Sequence, residues 1–153
     1  MVKLGLQYQT IQALTKPAAV QAARKGLLLV GVLGAKNLAS SKGNNATSFV
    51  KLKLGKQEGK TPLVYRTRDP RWTYDNKFTF YDVTLADDLV VTVMEPGLIN
   101  DELGTLTIKL PDVLDSTMVS RWTGQEQAGY LHKTLPLGDG DGGMLEIEVE
   151  FLP

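Results

Sequence analysis

The sequence predicts an all-β protein, an eight-stranded antiparallel sandwich, on three observations. Apolar and polar side chains alternate with period two over several short runs, the pattern of strands with one buried face. Clusters of Gly, Asn, Asp and Pro punctuate those runs, and these residues tolerate the backbone angles that turns require. The longest apolar run, GLLLVGVLGA, is about half of the ~20 residues that a membrane-spanning helix needs.

The first strand is GLLLVGVLGA itself, beginning at Gly26. SFVKLKLG (48–55) follows, with Val50, Leu52 and Leu54 on one side and Phe49, Lys51 and Lys53 on the other. After a turn in GKQEGK, the run TPLVYRT (61–67) is the expected third strand. KFTFYDV (77–83) directs Phe78 and Phe80 inward, and DLVVTVME (88–95) is rich in β-branched residues. LGTLTIKL (103–110) alternates again. Residues 112–129 form the one long connection, with a short helix expected around 113–119. GYLHKTLPL (129–137) is the seventh strand, on a weaker pattern. GMLEIEVEFL (143–152) closes the set, placing Leu145, Ile147, Val149 and Phe151 against Glu146, Glu148 and Glu150. KGNNA, RDP, EPG, LPD and GDGDGG supply the turns. GDGDGG (138–143) lacks the spaced ligands and closing glutamate of a calcium loop, so it reads as a glycine-rich turn.

Residues 1–25 are polar and poor in aromatics, and Pro17 interrupts any helix there, leaving two possible helical turns over 18–25. The expected organisation is an N-terminal arm or linker (1–25) ahead of one domain (26–153). No long apolar stretch opens the chain, so no secretory leader is expected. Cysteine is absent, which removes disulfides and thiolate metal sites and fits a reducing compartment.

Net charge is zero but strongly polarised along the chain. Residues 1–77 carry 14 basic and 3 acidic side chains, and residues 78–153 carry 3 basic and 14 acidic. Such asymmetry implies an electrostatic surface with a preferred partner, unless strands from the two halves interleave and mix the signs. Catalysis has no visible machinery. The one histidine, His132, sits in a strand with no serine or cysteine motif beside it, and no Walker loop, dinucleotide glycine pattern or HExxH occurs. An enzyme is not expected, nor is a cofactor. Trp72 reads as a packing residue where a strand begins, and Trp122 lies in the long connection with no assigned role. Nucleic-acid binding is not expected, because basic and aromatic residues do not interleave.

Several of these segments, in order, resemble the C2 domain family. GLLLVGVLGAKNL is similar to the opening strand and its Ala-Lys-Asn-Leu turn. SFVKLKLG resembles the second half of the family's Asp-Pro-Tyr-Val-Lys-Leu stretch, and DPRWTYDNKFTF its Asn-Pro-x-Trp-Asn-Glu-x-Phe-x-Phe. VVTVME with NDELGTLTI resembles the Val-x-Val-x-Asp strand and its exit. The closing Gly-x-Leu-x-Ile-x-Val is similar to that of extended-synaptotagmin and plant-synaptotagmin membrane tethers. The resemblance covers 26–153 and implies a C2 β-sandwich that is cytoplasmic and peripheral to a membrane.

Calcium-binding members of that family use aspartates from two loops, and this sequence departs from them. Lys42 stands where the first aspartate falls, Thr47 and Ser48 replace Asp-Pro, and the middle aspartate of the second loop falls near Gly97. Glu95 and Asp101 match the remaining positions. Two carboxylates do not furnish the six to eight oxygens that calcium takes, so no metal is expected, and Lys42 is a candidate built-in cation beside Glu95 and Asp101. The resemblance further implies a cationic patch for acidic phospholipids or phosphoinositides. Its candidates here are Phe49, Lys51, Lys53, Lys60, Arg66 and Arg68, with Glu58 where the family pattern has a basic residue. Pro96, Leu98 and Ile99 in EPGLIN form a candidate membrane-inserting tip. The alternative is a calcium-independent protein-interaction module in which Glu146, Glu148 and Glu150 face a protein partner.

Overall fold

The computed structural model describes residues 25–40, 43, 45–120, 123–138 and 142–153. The N-terminal arm up to residue 24, together with Lys42, Trp122 and residues 139–141 of the glycine-rich turn, lies outside the described residues.

Among the described residues, ten strands and one short helix follow in order: β1 (Gly26–Lys36), β2 (Phe49–Leu54), β3 (Gln57–Lys60), β4 (Lys77–Val83), β5 (Asp88–Glu95), β6 (Asp101–Lys109), α1 (Leu110–Leu114), β7 (Thr117–Val119), β8 (Glu126–Ala128), β9 (Tyr130–Pro136) and β10 (Met144–Leu152). Eight of them form two four-stranded antiparallel sheets, β4-β1-β10-β9 (sheet one) and β3-β2-β5-β6 (sheet two). The small β7-β8 ribbon stands apart. The eight-stranded sandwich expected from alternation is therefore present.

One of its members is not the segment expected. The run 61–67 makes only an isolated bridge, Val64 to Ser48, and the third strand is instead β3, inside the GKQEGK stretch read as a turn. The reversal shortens to Gly55 and Lys56, with Gly55 at a positive φ of 60° that suits glycine. The helix expected over 113–119 is shorter and earlier, at Leu110–Leu114 with Pro111 in its first turn, and Thr117–Val119 pairs as β7 with β8.

Alternation builds the core. Leu28, Val30 and Val32 of β1 and Leu145, Ile147, Val149 and Phe151 of β10 are buried from sheet one. Val50, Leu52 and Leu54 of β2 and Leu89, Val91 and Val93 of β5 meet them from sheet two. At about 25 cal/mol per Å² of apolar surface, this two-layer burial is the main drive to fold. Phe80 is buried as expected, while Phe78 is only half-buried and packs at the sheet edge against Gly59.

The long segment between β3 and β4 is pinned rather than loose. Trp72 is buried, and its indole N–H donates to the Pro62 carbonyl at 3.0 Å. The buried Asn76 side chain donates to the Val32 and Trp72 carbonyls at 2.8 and 2.9 Å. Ala35 and Leu38 N–H groups reach the Pro70 and Arg68 carbonyls, each at 2.9 Å. These bonds fasten the segment to β1 and fix one wall of the apical end of the sandwich.

Candidate functional site

Sheet two turns its polar side outward. Residues directly opposite across antiparallel strands share a face, and the register sets Lys51 against Lys60 and Lys53 against Glu58. The same rows continue onto β5, with Phe49 opposite Met94 and Lys51 opposite Thr92. Lys51, Lys53 and Lys60 are exposed, whereas Val50, Leu52 and Leu54 point into the core. A depression of about 390 Å³ lies here, lined by Phe49, Lys51, Glu58, Lys60, Met94 and Asn100. The Lys60 ammonium stands 6.0 Å from the Phe49 ring centre, at the limit of a cation–π contact. Lys51 Nζ is 3.7 Å from Glu58 Oε1, an ion pair with both side chains about half exposed and weak in water.

Like charges placed directly opposite each other destabilise a sheet. Lys51 and Lys60 are such a pair, and Glu58 offsets only part of their repulsion. The pairing does not favour the fold by itself, and it leaves two exposed lysines side by side on the sheet.

Arg66 and Arg68 are not on this face. Both belong to the loop after β3, at the apical end, where the Arg66 N–H donates to Thr47 Oγ1 at 3.2 Å and the Thr67 N–H to the Ala46 carbonyl at 2.9 Å. Arg66 lines an apical cavity of about 860 Å³ with Ser40, Asn45, Thr47, Tyr65 and Glu95. Arg68 lines the adjoining one with Ser40 and Asn45. The expected grouping of all five cations therefore does not hold, because the loop after β3 carries Arg66 and Arg68 to the apical cavities and away from β2.

Glu95 and Asp101 face each other across the β5–β6 pairing. Glu95 is buried and its Oε2 accepts a 2.8 Å bond from Ser40 Oγ, while Asp101 is exposed. Among the described residues, no group of three or more histidine, cysteine or acidic side chains is placed to hold a metal ion. The proposed Lys42 contact lies outside the described residues. Between Glu95 and Asp101 the connecting loop raises Leu98 and Ile99, which are 107% and 83% exposed, so neither folds back onto the core.

The outer side of sheet one mixes acidic and basic groups. Glu146, Glu148 and Glu150 alternate on the outer side of β10. The Arg71 guanidinium lies 2.7 Å from Glu146 Oε1, and His132 Nε2 is 2.7 Å from Oε2. Their hydrogen bonds, Arg71 first, hold the Glu146 carboxyl below its ordinary 4.5. Glu148 is buried and bonded to the Tyr130 hydroxyl. Burial, and then the charge of Glu148, push the Glu150 carboxyl up, while Gln127 donates to it. The role of Arg71 and of Tyr65, which is 70% exposed at the apical cavity, carried no signal in the sequence.

The two four-stranded sheets, packed face to face with an exposed apolar loop at one end, define an antiparallel β-sandwich domain. The chain belongs to the C2 domain family, whose model matches residues 26–124. It is 32% identical over 131 residues to Synaptotagmin-3 of Arabidopsis thaliana, covering 82% of this chain and 22% of that protein. It is 27% identical over 133 residues to Extended synaptotagmin-3 of Mus musculus, covering 83% of this chain and 14% of that protein. Among solved structures, a C2 domain of plant Extended Synaptotagmin 1 matches with a TM-score of 0.64 at 24% identity, covering 85% of this chain and 97% of that one. The chain thus spans less than a quarter of the length of these two curated relatives. No helix among the described residues is long and apolar enough to cross a membrane.

Proposed function

We propose that this C2 domain is a non-enzymatic, calcium-independent docking module for acidic phospholipids. The observation that carries the reading is the Lys51–Lys60 pair, two exposed cations held directly opposite one another beside the Phe49 ring. Each basic side chain near an anionic bilayer contributes about 1 kcal/mol, and Leu98 with Ile99 adds about 2–3 kcal/mol on entering the interfacial layer. Two weak signals of this kind are what stable attachment of a peripheral protein requires. Family membership supports a lipid or membrane partner in general terms. Calcium independence rests on the donor set: Glu95 is buried and bonded to Ser40, and one exposed partner, Asp101, does not complete a shell of six to eight oxygens.

The test is vesicle co-sedimentation in chelator with phosphatidylserine-containing liposomes. The double variant Lys51→Ala/Lys60→Ala is expected to bind about tenfold or more weakly, and Leu98→Asp/Ile99→Asp to detach further. Unchanged binding by both variants refutes the reading.

A second reading is supported by the outer face of sheet one. There a groove of about 350 Å³, lined by Leu29, Gly31, Lys77, Tyr130, Glu148 and Glu150, offers a concave surface to a protein partner. Binding to no acidic liposome, with capture of a basic protein segment, is the result that favours it.

A further inference from the structure

Each sheet of the sandwich has two edge strands, and an edge strand offers its outward N–H and C=O groups to any extended chain that meets it. Among the described residues, three of the four edges are already covered or short. β9 has the β7–β8 ribbon against it, and the His132 N–H donates to the Met118 sulfur at 3.3 Å. On β6 the Thr105 carbonyl accepts from the Gly138 N–H at 2.8 Å. β3 is four residues long. The fourth edge, β4, runs for seven residues with no further strand paired to it. We propose that β4 is a pairing edge for a second copy of this chain, and that the Gln57 side chain is the guard that keeps it closed. This inference stands independently of the membrane reading.

Three observations carry it. First, the Gln57 amide imitates a strand. Its Nε2 donates to the Tyr81 carbonyl at 2.7 Å, and its Oε1 accepts from the Tyr81 N–H at 2.8 Å. Those are the two bonds that one residue of a neighbouring antiparallel strand would make. Gln57 belongs to β3 of sheet two and Tyr81 to β4 of sheet one, so a side chain crosses between the sheets to fill one edge position.

Second, the guard covers that position and leaves the next. The Tyr81 N–H and C=O point away from β1, and backbone direction repeats every second residue, so those of Thr79 point the same way. Thr79 is exposed, and these two groups meet no partner among the described residues. Just past Tyr81, Asp82 turns left-handed with φ of 53° and ends the regular edge.

Third, the edge is complementary to itself. Two β4 strands set antiparallel about Thr79 are related by a two-fold axis, the symmetry of a closed dimer. Each Thr79 then exchanges both backbone bonds with the other, with the two hydroxyls side by side, a favourable cross-strand pair. Each Tyr81 ring falls opposite the second copy's Lys77. Tyr81 is 60% exposed, so its ring is available to that contact. This register needs the outward N–H and C=O of Tyr81, and Gln57 holds both. Three paired residues per copy bury little surface, so two hydrogen bonds decide the balance.

The test is sedimentation velocity over a concentration series. The parent chain is expected to be monomeric, and Gln57→Ala to dimerise at least about tenfold more tightly, the effect of releasing two hydrogen-bonding groups. Gln57→Glu keeps the length of the side chain but sets a carboxylate oxygen against the Tyr81 carbonyl. It is expected to behave the same way, and it serves if the alanine variant does not fold. Adding Thr79→Pro to Gln57→Ala is expected to restore the monomer, because proline removes an N–H that points off the sheet and is tolerated on an edge. The chain has no cysteine, so a single introduced thiol reports the geometry. Gln57→Ala/Thr79→Cys is expected to cross-link between copies about tenfold or more faster than Gln57→Ala/Thr107→Cys, whose thiol is exposed on β6. The guard is overturned if folded Gln57→Ala and Gln57→Glu associate no more tightly than the parent chain, or if the two cysteine positions cross-link at equal rates.

Discussion

At the scale of single residues, the lysine patch is incomplete by one charge. Glu58 lies opposite Lys53 and pairs diagonally with Lys51, so it competes with any phosphate for that ammonium. Glu58→Gln is expected to tighten binding to acidic vesicles by about threefold, the effect of one exposed charge near the bilayer, with neutral vesicles unaffected. The carboxylates of β10 give a second residue-scale expectation. Because the native Glu146 carboxyl is held below 4.5, its bonds stabilise the fold above that pH, and the contribution disappears as pH falls through the lowered native value. Glu150 has the opposite sign: its raised native carboxyl favours the fold in acid and disfavours it once pH rises through that value. Thermal melts are therefore expected to show Arg71→Ala losing stability at neutral pH and converging with the parent protein in acid. Glu150→Gln is expected to gain at neutral pH, by less than the about 2–4 °C that 1 kcal/mol moves in a chain of this size.

At the scale of elements, β3 decides whether Lys60 meets Lys51. QEGK has the composition of a turn, and nothing in its own residues announces a strand. What makes it one is pairing with β2 and the missing side chain at Gly59, where a Cβ would stand 2.6 Å from the Phe78 ring. Gly59→Ala is expected to cost about 1–3 kcal/mol in chemical denaturation and to weaken vesicle binding by tilting β3, although it removes no charge. The strands with long alternating runs, β2, β5 and β10, were legible because each buries one face. The loop after β3 was not legible, since its course follows from Trp72 and Asn76 docking on β1, contacts distant in sequence. For that reason the strand face shared by Phe49, Lys51 and Lys53 could be read from the sequence, while the separation of Arg66 and Arg68 from it could not.

At the scale of the whole molecule, the fold carries only part of the sequence's charge polarity to its surface. Sheet two presents Lys51, Lys53 and Lys60 outward with Glu58 among them, whereas the outer side of sheet one mixes Glu146, the buried Glu148 and Glu150 with Arg71, His132 and Lys77. The halves of the chain interleave, since β1 and β4 lie in the same sheet as β10, and the signs mix on the outer side of that sheet. A molecule with no net charge but a local cluster of exposed lysines is steered by orientation more than by total charge, and salt screens that steering over about 8–10 Å. The most direct measurement is co-sedimentation of the unmodified protein in chelator, with phosphatidylserine-containing and purely phosphatidylcholine vesicles, at low and raised salt. Binding that requires the acidic lipid and falls steeply with salt is the predicted result. Equal binding to neutral vesicles, or acidic-vesicle binding that appears only when calcium is restored, would contradict it.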